Sequence, residues 1–481
     1  MTNYDKYETI IGLEVHVQLS TRSKAFCGDD ASFGAPPNTH ISTISLGHPG
    51  TLPRLNKKQI EYAVKLGLAL GCTINQKNYF DRKNYFYADL PKGFQTTQDN
   101  RPICLGGRLS IKTDLGAKSI RIHHIHMEED AGKSIHDIAP DASLIDLNRA
   151  GVPLLEIVTE PDFRSAQEVD VFMTTMRQLV RYLGVSDGNM QEGSLRCDCN
   201  VSIRLKGDTK LNERCEIKNM NSMRFARKAI EYEQKRQMDI MEAGGKVAQQ
   251  TLNFDPATGI TTPLREKEDA HDYRYFPEPD LPPIEIADDY IAQLKSQMPA
   301  LPWELQKRFS DIYKLSAYNA QLLTEEKETA SFFEKLAAHT QNYTGVANLI
   351  INKINPWISE NKTSILEFPV SPNRLAGLLE LIESGKVSNT IAYQRIFPQL
   401  VQSKKTALEI AQANNLIQSS NENFLEQLVT EVIEKNPDKV KAYQKGKKGL
   451  IGFFMGQVMK ASKGKAEPKA TNALLLEKLK K

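Results

Sequence analysis

The stretch RIHHIHMEEDAGKSIH (residues 121–136), followed after a short spacer by DLNRAGVPLLEIVTEPD (146–162), decides how the rest of the chain is read. Its pattern alternates as half-buried strands do. Yet it carries imidazoles at His123, His124, His126 and His136 and carboxylates at Glu128, Glu129, Asp130, Glu156 and Glu160. Side chains of a strand point to opposite faces in turn. His124, His126 and Glu128 therefore share one face, and Ile125, Met127 and Glu129 the other. Glu156 interrupts the apolar run VPLLEIVT (152–159). A carboxylate there is costly to desolvate unless it is paired, hydrogen-bonded or bound to a metal. Acids on two such strands point to a hard cation such as Mg²⁺, which takes carboxylate oxygens, water and phosphates. An ion pair between Glu156 and Arg149 is the plain alternative.

Gly132-Lys133-Ser134 has the look of a phosphate loop, but that motif needs a glycine five residues before Gly132, where this chain has Met127. A nucleotide must be held in another way.

Working outward, IIGLEVHVQL (10–19) alternates with Glu14, His16 and Gln18 on one face and Leu13, Val15 and Val17 on the other. Residues 192–204 place Arg196, Asp198, Asn200 and Ser202 together, and residues 214–219 place Arg214, Glu216 and Lys218 together. Strands with one apolar and one polar face build a sheet whose polar side lines a cleft. Helices are expected over 56–70, capped by Asn56, over 162–183 and over 222–242. Residues 20–53 read as loop. Residues 85–95 read as an aromatic strand breaking at Pro91 into a Lys92-Gly93 turn, either a phosphate contact or an ordinary turn. The prolines and charges of TPLREKEDAHDYRYFPEPDLPP (262–283) argue against strand or helix there, and suggest a lid or a linker.

At 481 residues and 40% hydrophobic content, the chain is long enough for two to four domains. Residues 1–20 have no signal-peptide pattern and the longest apolar stretch, 450–459, is too short to span a bilayer, so a cytoplasmic protein is expected. Six cysteines do not make a disulfide scaffold, and Cys197, Cys199 and Cys215 match no zinc spacing. Buried thiols are the expectation. Residues 441–481 hold eleven Lys and two Glu, a net +9, which leaves −6 on the remainder. Such a tail points to a polyanion or, more plainly, to a solvated lysine-rich helix surface. Lys460, Lys463 and Lys465 follow a helix expected to bury Phe453, Met455 and Val458, in a lysine-glycine loop suited to phosphate backbones. The expected fold is α+β, with a sheet domain over 1–290, a helical domain over 291–414 and a small basic helical tail over 415–481.

Longer blocks carry a resemblance: IGLEVHVQL (11–19), GAPPN (34–38), LGHPGTLP (46–53), DLPKGFQTTQ (89–98), HMEEDAGK (126–133), DLNRAGVPLLEIVTEPD (146–162), GSLRCDCNVSIR (193–204), RCEIKNMNS (214–222), EDAHDYRYFPEPDLPP (268–283) and GQVMKASKGKAEP (456–468). Over nearly its full length the chain resembles the B-subunit (GatB) family of bacterial aspartyl/glutamyl-tRNA(Asn/Gln) amidotransferases. The resemblance implies a cradle domain with an antiparallel sheet, a helical domain and a tRNA-binding tail. It implies ATP-dependent phosphorylation of the side-chain carboxyl of a mischarged Glu-tRNA(Gln) or Asp-tRNA(Asn). Ammonia from a glutaminase (amidase) chain, the A subunit, then displaces the phosphate, and the pair is braced by a small C subunit. ATP and Mg²⁺ are the implied cofactors. The implied catalytic residues are Glu14, His16, Glu128, Glu129 and Glu156, with Glu14, His16, Glu128, Glu156, Asp198 and Glu216 around metal. Lys92, Gly93 and Lys218 fall on the phosphate side, and Lys460, Lys463 and Lys465 on the tRNA. Many members carry a Cys-x-Cys and a Cys-x-x-Cys near the start. Here those positions read Cys27-Gly28-Asp29 and residues 41–45, with one cysteine, so structural zinc is not expected. Two rival readings remain: a non-catalytic tRNA-binding scaffold, and a metal-dependent hydrolase.

Overall fold

The computed structural model describes residues 3–114, 116–139, 141–218, 220, 222–265, 273–417, 422–462 and 466–480. They form two compact units, Met1–Leu301 and Pro302–Lys481.

The first unit is built on a ten-stranded sheet. Its main strands are β1 (Tyr7–Gln18), β2 (Gly116–Glu129), β3 (Pro153–Thr159), β4 (Leu195–Leu205), β5 (Cys215–Lys218), β6 (Gln250–Asp255) and β7 (Ile260–Arg265). The order is β7-β6-β5-β4-β1-β3-β2, continued by Cys104–Leu105 and Thr73–Ile74, while Arg108–Thr113 forms a hairpin with the start of β2. Among the described residues only the β5–β6 pairing is parallel.

One face of this sheet is apolar. Leu13, Val15, Val17, Ile125, Met127, Leu155, Ile157, Val201 and Ile217 are all buried in a single core. Helices α1 (Lys57–Ala69), α2 (Ala166–Leu183) and α3 (Met223–Glu242) cover it. Along α2, Val169, Phe172, Met173, Met176, Leu179 and Val180 recur at helical spacing and are buried. Each such side chain is worth about 1.5–3 kcal/mol on burial. In α1, Gly67 is set by packing, because a Cβ there would lie 2.4 Å from the Cys104 sulfur. The thiols behave as apolar groups: all six are free, five are buried, and burial pushes Cys72 and Cys215 up to about 12.

Several expectations are corrected. The cap of α2 is Ser165, which accepts from the Glu168 amide, rather than Asp162, whose carboxylate binds Arg121. The aromatic residues 85–90 are not a strand; pairing is confined to Asp81–Asn84 and Phe94–Thr97 on either side. Residues 262–265 do belong to a strand, β7, despite Pro263, because that proline sits on the sheet edge where no ladder donor is required. Residues 266–272 of the expected lid lie outside the described residues. Helix α4 (Asp288–Ser296) packs on α1.

The second unit is helical from Pro302–Asp311 onward. Its last part has a core of its own, made of Leu425, Val429, Val432, Tyr443, Phe454, Val458, Ala466, Leu475 and Leu479. Phe454 rather than Phe453 is the buried ring; Phe453 and Met455 lie at the margin. Among the described residues no helix is long and apolar enough to cross a membrane.

Residues 20–53 are ordered without regular structure. Lys24 is wholly buried and its ammonium donates to the carbonyls of His40 (2.7 Å) and Leu147 (3.2 Å). Ser45 donates to Asp29 and accepts from the Ser42 amide. The residues at the knuckle positions thus bind one another, and a single thiol, Cys27, is a poor zinc donor set. We expect the purified protein to hold no tightly bound zinc, while Asp29→Ala destabilises by about 1–2 kcal/mol. Elemental analysis for zinc and thermal unfolding of the variant check these, and one zinc ion per chain would contradict the zinc-free reading.

Candidate functional site

The opposite face of the sheet is charged, and strand register fixes which groups meet. His126 lies beside Glu156, Glu156 beside His16, and His16 beside Arg196, in one row across β2, β3, β1 and β4. In the adjoining row Glu14 faces Asp198, and farther along Asn200 faces Glu216. Backbone contacts hold these positions. Thr159 accepts from the Leu13 amide (2.9 Å), and the buried Gln59 at the start of α1 donates to the Glu128 carbonyl (2.9 Å).

Two groups of ligating atoms result, each with its members within 4.8 Å of one another: His16, Glu128 and Glu156, and Glu14, Asp198 and Glu216. In the first, His16 Nε2 is 3.2 Å from Glu156 and 3.8 Å from Glu128. His126 Nε2 is 3.3 Å from Glu156 and 3.5 Å from Glu128. Burial alone would lower both imidazoles, but the Glu156 and Glu128 carboxylates raise His16 to about 9 and His126 to about 10. Burial would raise Glu156, yet His126 and His16 hold it well below the usual carboxylate range. His124, half-buried beside His126 (3.1 Å) and His123, is pushed down to about 4 by desolvation and the neighbouring imidazoles. In the second group, burial and the charges of Glu156 and Glu216 raise Glu14, which accepts from Asn200 at 3.0 Å. Lys218 bridges Asp198 (3.0 Å) and Glu216 (2.8 Å).

The six expected ligands therefore share one face but divide into two groups, not one cluster. Burial in the first group and the mix of two carboxylates with imidazole nitrogens fit a divalent cation. The second offers oxygens only, partly neutralised by Lys218. Glu156 is held by imidazoles, and Arg149 instead donates to the carbonyls of Ala131 and Gly132. Glu129 belongs to neither group. Its carboxylate binds the Lys92 ammonium and the Thr96 amide (2.8 Å), in a separate cavity of about 310 Å³ lined also by Lys24, Phe26, Arg82 and Glu278. Lys92 is thus already paired. Gly93 has φ +73°, which is what the turn after Leu90 requires. Gly132-Lys133-Ser134 leads into a strand, Lys133–Ala139, and not a helix, which removes any phosphate loop. In the tail, Lys460 is exposed, while Lys463 and Lys465 lie outside the described residues.

Two residues missing from the expected site are His126 and Arg196. Both were legible as face-mates, one of Glu128 and the other of Asp198. Arg196 donates to Asp130 at 2.9 Å.

Comparison with known proteins bears on this face directly. Residues 9–292 match the GatB/GatE catalytic domain family, and residues 331–479 match the GatB domain family. The chain is 48% identical over 477 residues to the aspartyl/glutamyl-tRNA(Asn/Gln) amidotransferase B subunit of Geotalea uraniireducens, covering 98% of this chain and 99% of that one. It is 48% identical to the B subunit of Chlorobium phaeobacteroides over 98% of this chain and 99% of that one. With that of Persephonella marina it shares 46% identity over 99% of this chain and 100% of the relative. Matches that span both units and include the whole charged face place the chain in the family of aspartyl/glutamyl-tRNA(Asn/Gln) amidotransferase B subunits.

Proposed function

We propose that this chain phosphorylates the side-chain carboxyl of Glu-tRNA(Gln) or Asp-tRNA(Asn) with ATP and joins it to ammonia, giving Gln-tRNA(Gln) or Asn-tRNA(Asn). It would act as the ligase member of a cytoplasmic heterotrimer, alongside a glutaminase chain (the A subunit) and a small third chain (the C subunit). The observation that carries this reading is the convergence of His16, Glu128 and Glu156 on one buried spot of a face that also gathers Glu14, Asp198 and Glu216. A scaffold has no use for so much buried charge.

His16, Glu128 and Glu156 would hold Mg²⁺, with His126 orienting both carboxylates. Bound Mg²⁺ supplies charge neutralisation, so that substrate carboxylate and γ-phosphate can approach. Because ammonia is itself the nucleophile, the chain needs neither a Ser-His-Asp triad nor a catalytic cysteine, in keeping with the burial of five of its six thiols. The three-part division 1–290, 291–414 and 415–481 belongs to the same proposal, with Lys460, Lys463 and Lys465 meeting the tRNA backbone.

Three outcomes follow. Glu156→Gln keeps the shape but removes the charge that both imidazoles face. We expect at least a hundredfold loss of ATP-dependent amide formation from mischarged tRNA and ammonia, in line with the several kcal/mol that a catalytic metal supplies; undiminished turnover would refute the assignment. Without metal, His16 and His126 have folded-state values above their unfolded one. Their contribution is therefore complete below about pH 6.5 and is lost as pH rises toward 9 to 10. Melting temperatures in EDTA should fall across that window. Mn²⁺ should reverse the fall, with affinity rising about tenfold per pH unit for each proton displaced, as isothermal titration would record. Finally, replacing Lys460, Lys463 and Lys465 by Gln should weaken tRNA binding and reduce its log-log salt slope by about 2–3, leaving ATP affinity as it was.

A further inference from the structure

We infer that Arg196 is a substrate-contacting residue, whose guanidinium takes an oxyanion of the reacting groups between the two acidic clusters. The inference rests on the proposed reaction and adds to it the group that receives negative charge.

Position comes first. Arg196 pairs with His16 across β1 and β4, and Asp198 follows it on the same face. It therefore stands where the His16–Glu128–Glu156 group and the Glu14–Asp198–Glu216 group adjoin. A face carrying so many carboxylates repels a phosphoryl group or a substrate carboxylate unless a cation is offered there. The other cations near it are engaged. Lys218 is held by Asp198 and Glu216, Lys92 by Glu129, and Arg149 by the carbonyls of Ala131 and Gly132.

Arg196 differs from these. One of its terminal nitrogens, Nη2, donates to Asp130 at 2.9 Å, which anchors the side chain. Its Nε–H is buried and, among the described residues, has no hydrogen-bond partner. Buried donors are almost always satisfied, and leaving one unpaired is costly. The side chain is 34% exposed on this face, so a guanidinium anchored at one end can turn its remaining donors toward a carboxylate or phosphate oxygen, which its fork matches in geometry and charge. Asp130 fixes the plane without neutralising every donor.

The shared chemistry is an oxyanion, either the γ-phosphoryl group of ATP or the side-chain carboxylate of the aminoacyl-tRNA. Arg196→Met and Arg196→Lys, measured in the assembled complex, separate the two. Mn²⁺ affinity, read by electron paramagnetic resonance, should not weaken in either variant, since Arg196→Lys keeps the charge and Arg196→Met removes a cation beside His16. Turnover with ATP, ammonia and mischarged tRNA should fall at least a hundredfold in Arg196→Met and less in Arg196→Lys, as expected when charge is kept but the fork is lost. A rise of about tenfold or more in the Kd for ATP identifies the phosphoryl group. The same rise in KM for mischarged tRNA alone identifies the carboxylate.

Asp130→Asn tests the structural alternative, in which Arg196 is only a strut for Asp130. Its amide oxygen can still accept from Nη2 and hold the guanidinium in place, so substrate affinities should fall by well under about tenfold. If Asp130→Asn reproduces the losses of Arg196→Met, or if Arg196→Met retains both affinities and turnover, the inference is overturned while the proposed reaction stands. Turnover by the unaltered complex without ATP would overturn both.

Discussion

Glu156 has to be neutralised where it stands, and the site follows from how this is done. It projects from β3, an interior strand bonded to β1 on one side and β2 on the other. The ladder consumes the neighbouring backbone donors, so its charge must be met by side chains on the two flanking strands. Register brings one imidazole from each, His16 and His126, within 3.2–3.3 Å of the same carboxylate oxygen. These imidazoles also reach Glu128, and two carboxylates are thereby held close enough to serve one cation. Protons on the imidazoles answer the same charge, and the Glu156 and Glu128 carboxylates hold both rings well above ordinary histidine. A cation bound there, as proposed, would compete with those protons.

This arrangement depends on the other face. Side chains on a strand alternate, so a slip of one residue between β1 and β3 would turn Glu14 and His16 into the core and Leu13 and Val15 out of it. The apolar core under α1, α2 and α3 penalises such a slip heavily, which locks the charged residues into place. Gln59 ties α1 to the end of β2, and Thr159 closes the β1–β3 ladder at the point where the β3–β2 pairing shifts register. Fold stability and site geometry are two readings of one register.

Because period-two alternation is a local property, much of this was legible in the chain. The face-mates of Glu14, Glu128 and Asp198 could be read from IIGLEVHVQL, HHIHMEED and SLRCDC alone, as could the buried cysteines and the helix over 222–242. What could not be read was the pairing of distant strands. Nothing in the sequence says that β1 lies between β3 and β4, so the division into two acidic groups, and the place of Arg196 where they adjoin, emerge only with the sheet. Lys92 is a similar case. Its turn was evident, but its partner Glu129 sits 37 positions away. Aromatic richness misled at residues 85–90, where propensity favours a strand but none of the described strands pairs with it. Pro263 misled in the other direction, because an edge strand tolerates it.

A face of this kind also explains why the chemistry is placed on strands rather than loops. Transferring a phosphoryl group to a carboxylate brings two anions together, and the favourable terms are positioning and fixed charge. Both decay quickly if the groups can drift. Antiparallel strands held at about 4.8 Å spacing carry their side chains on a rigid lattice, and groups that would repel one another in a loop are kept at contact by a register they cannot leave. The cost is an apo face crowded with carboxylates, offset by two imidazoles, a bridging lysine and an arginine with one donor to spare. That balance favours a cation and an anion together. On the proposed reading, metal and oxyanion would support one another on this face, each neutralising what the other would otherwise repel.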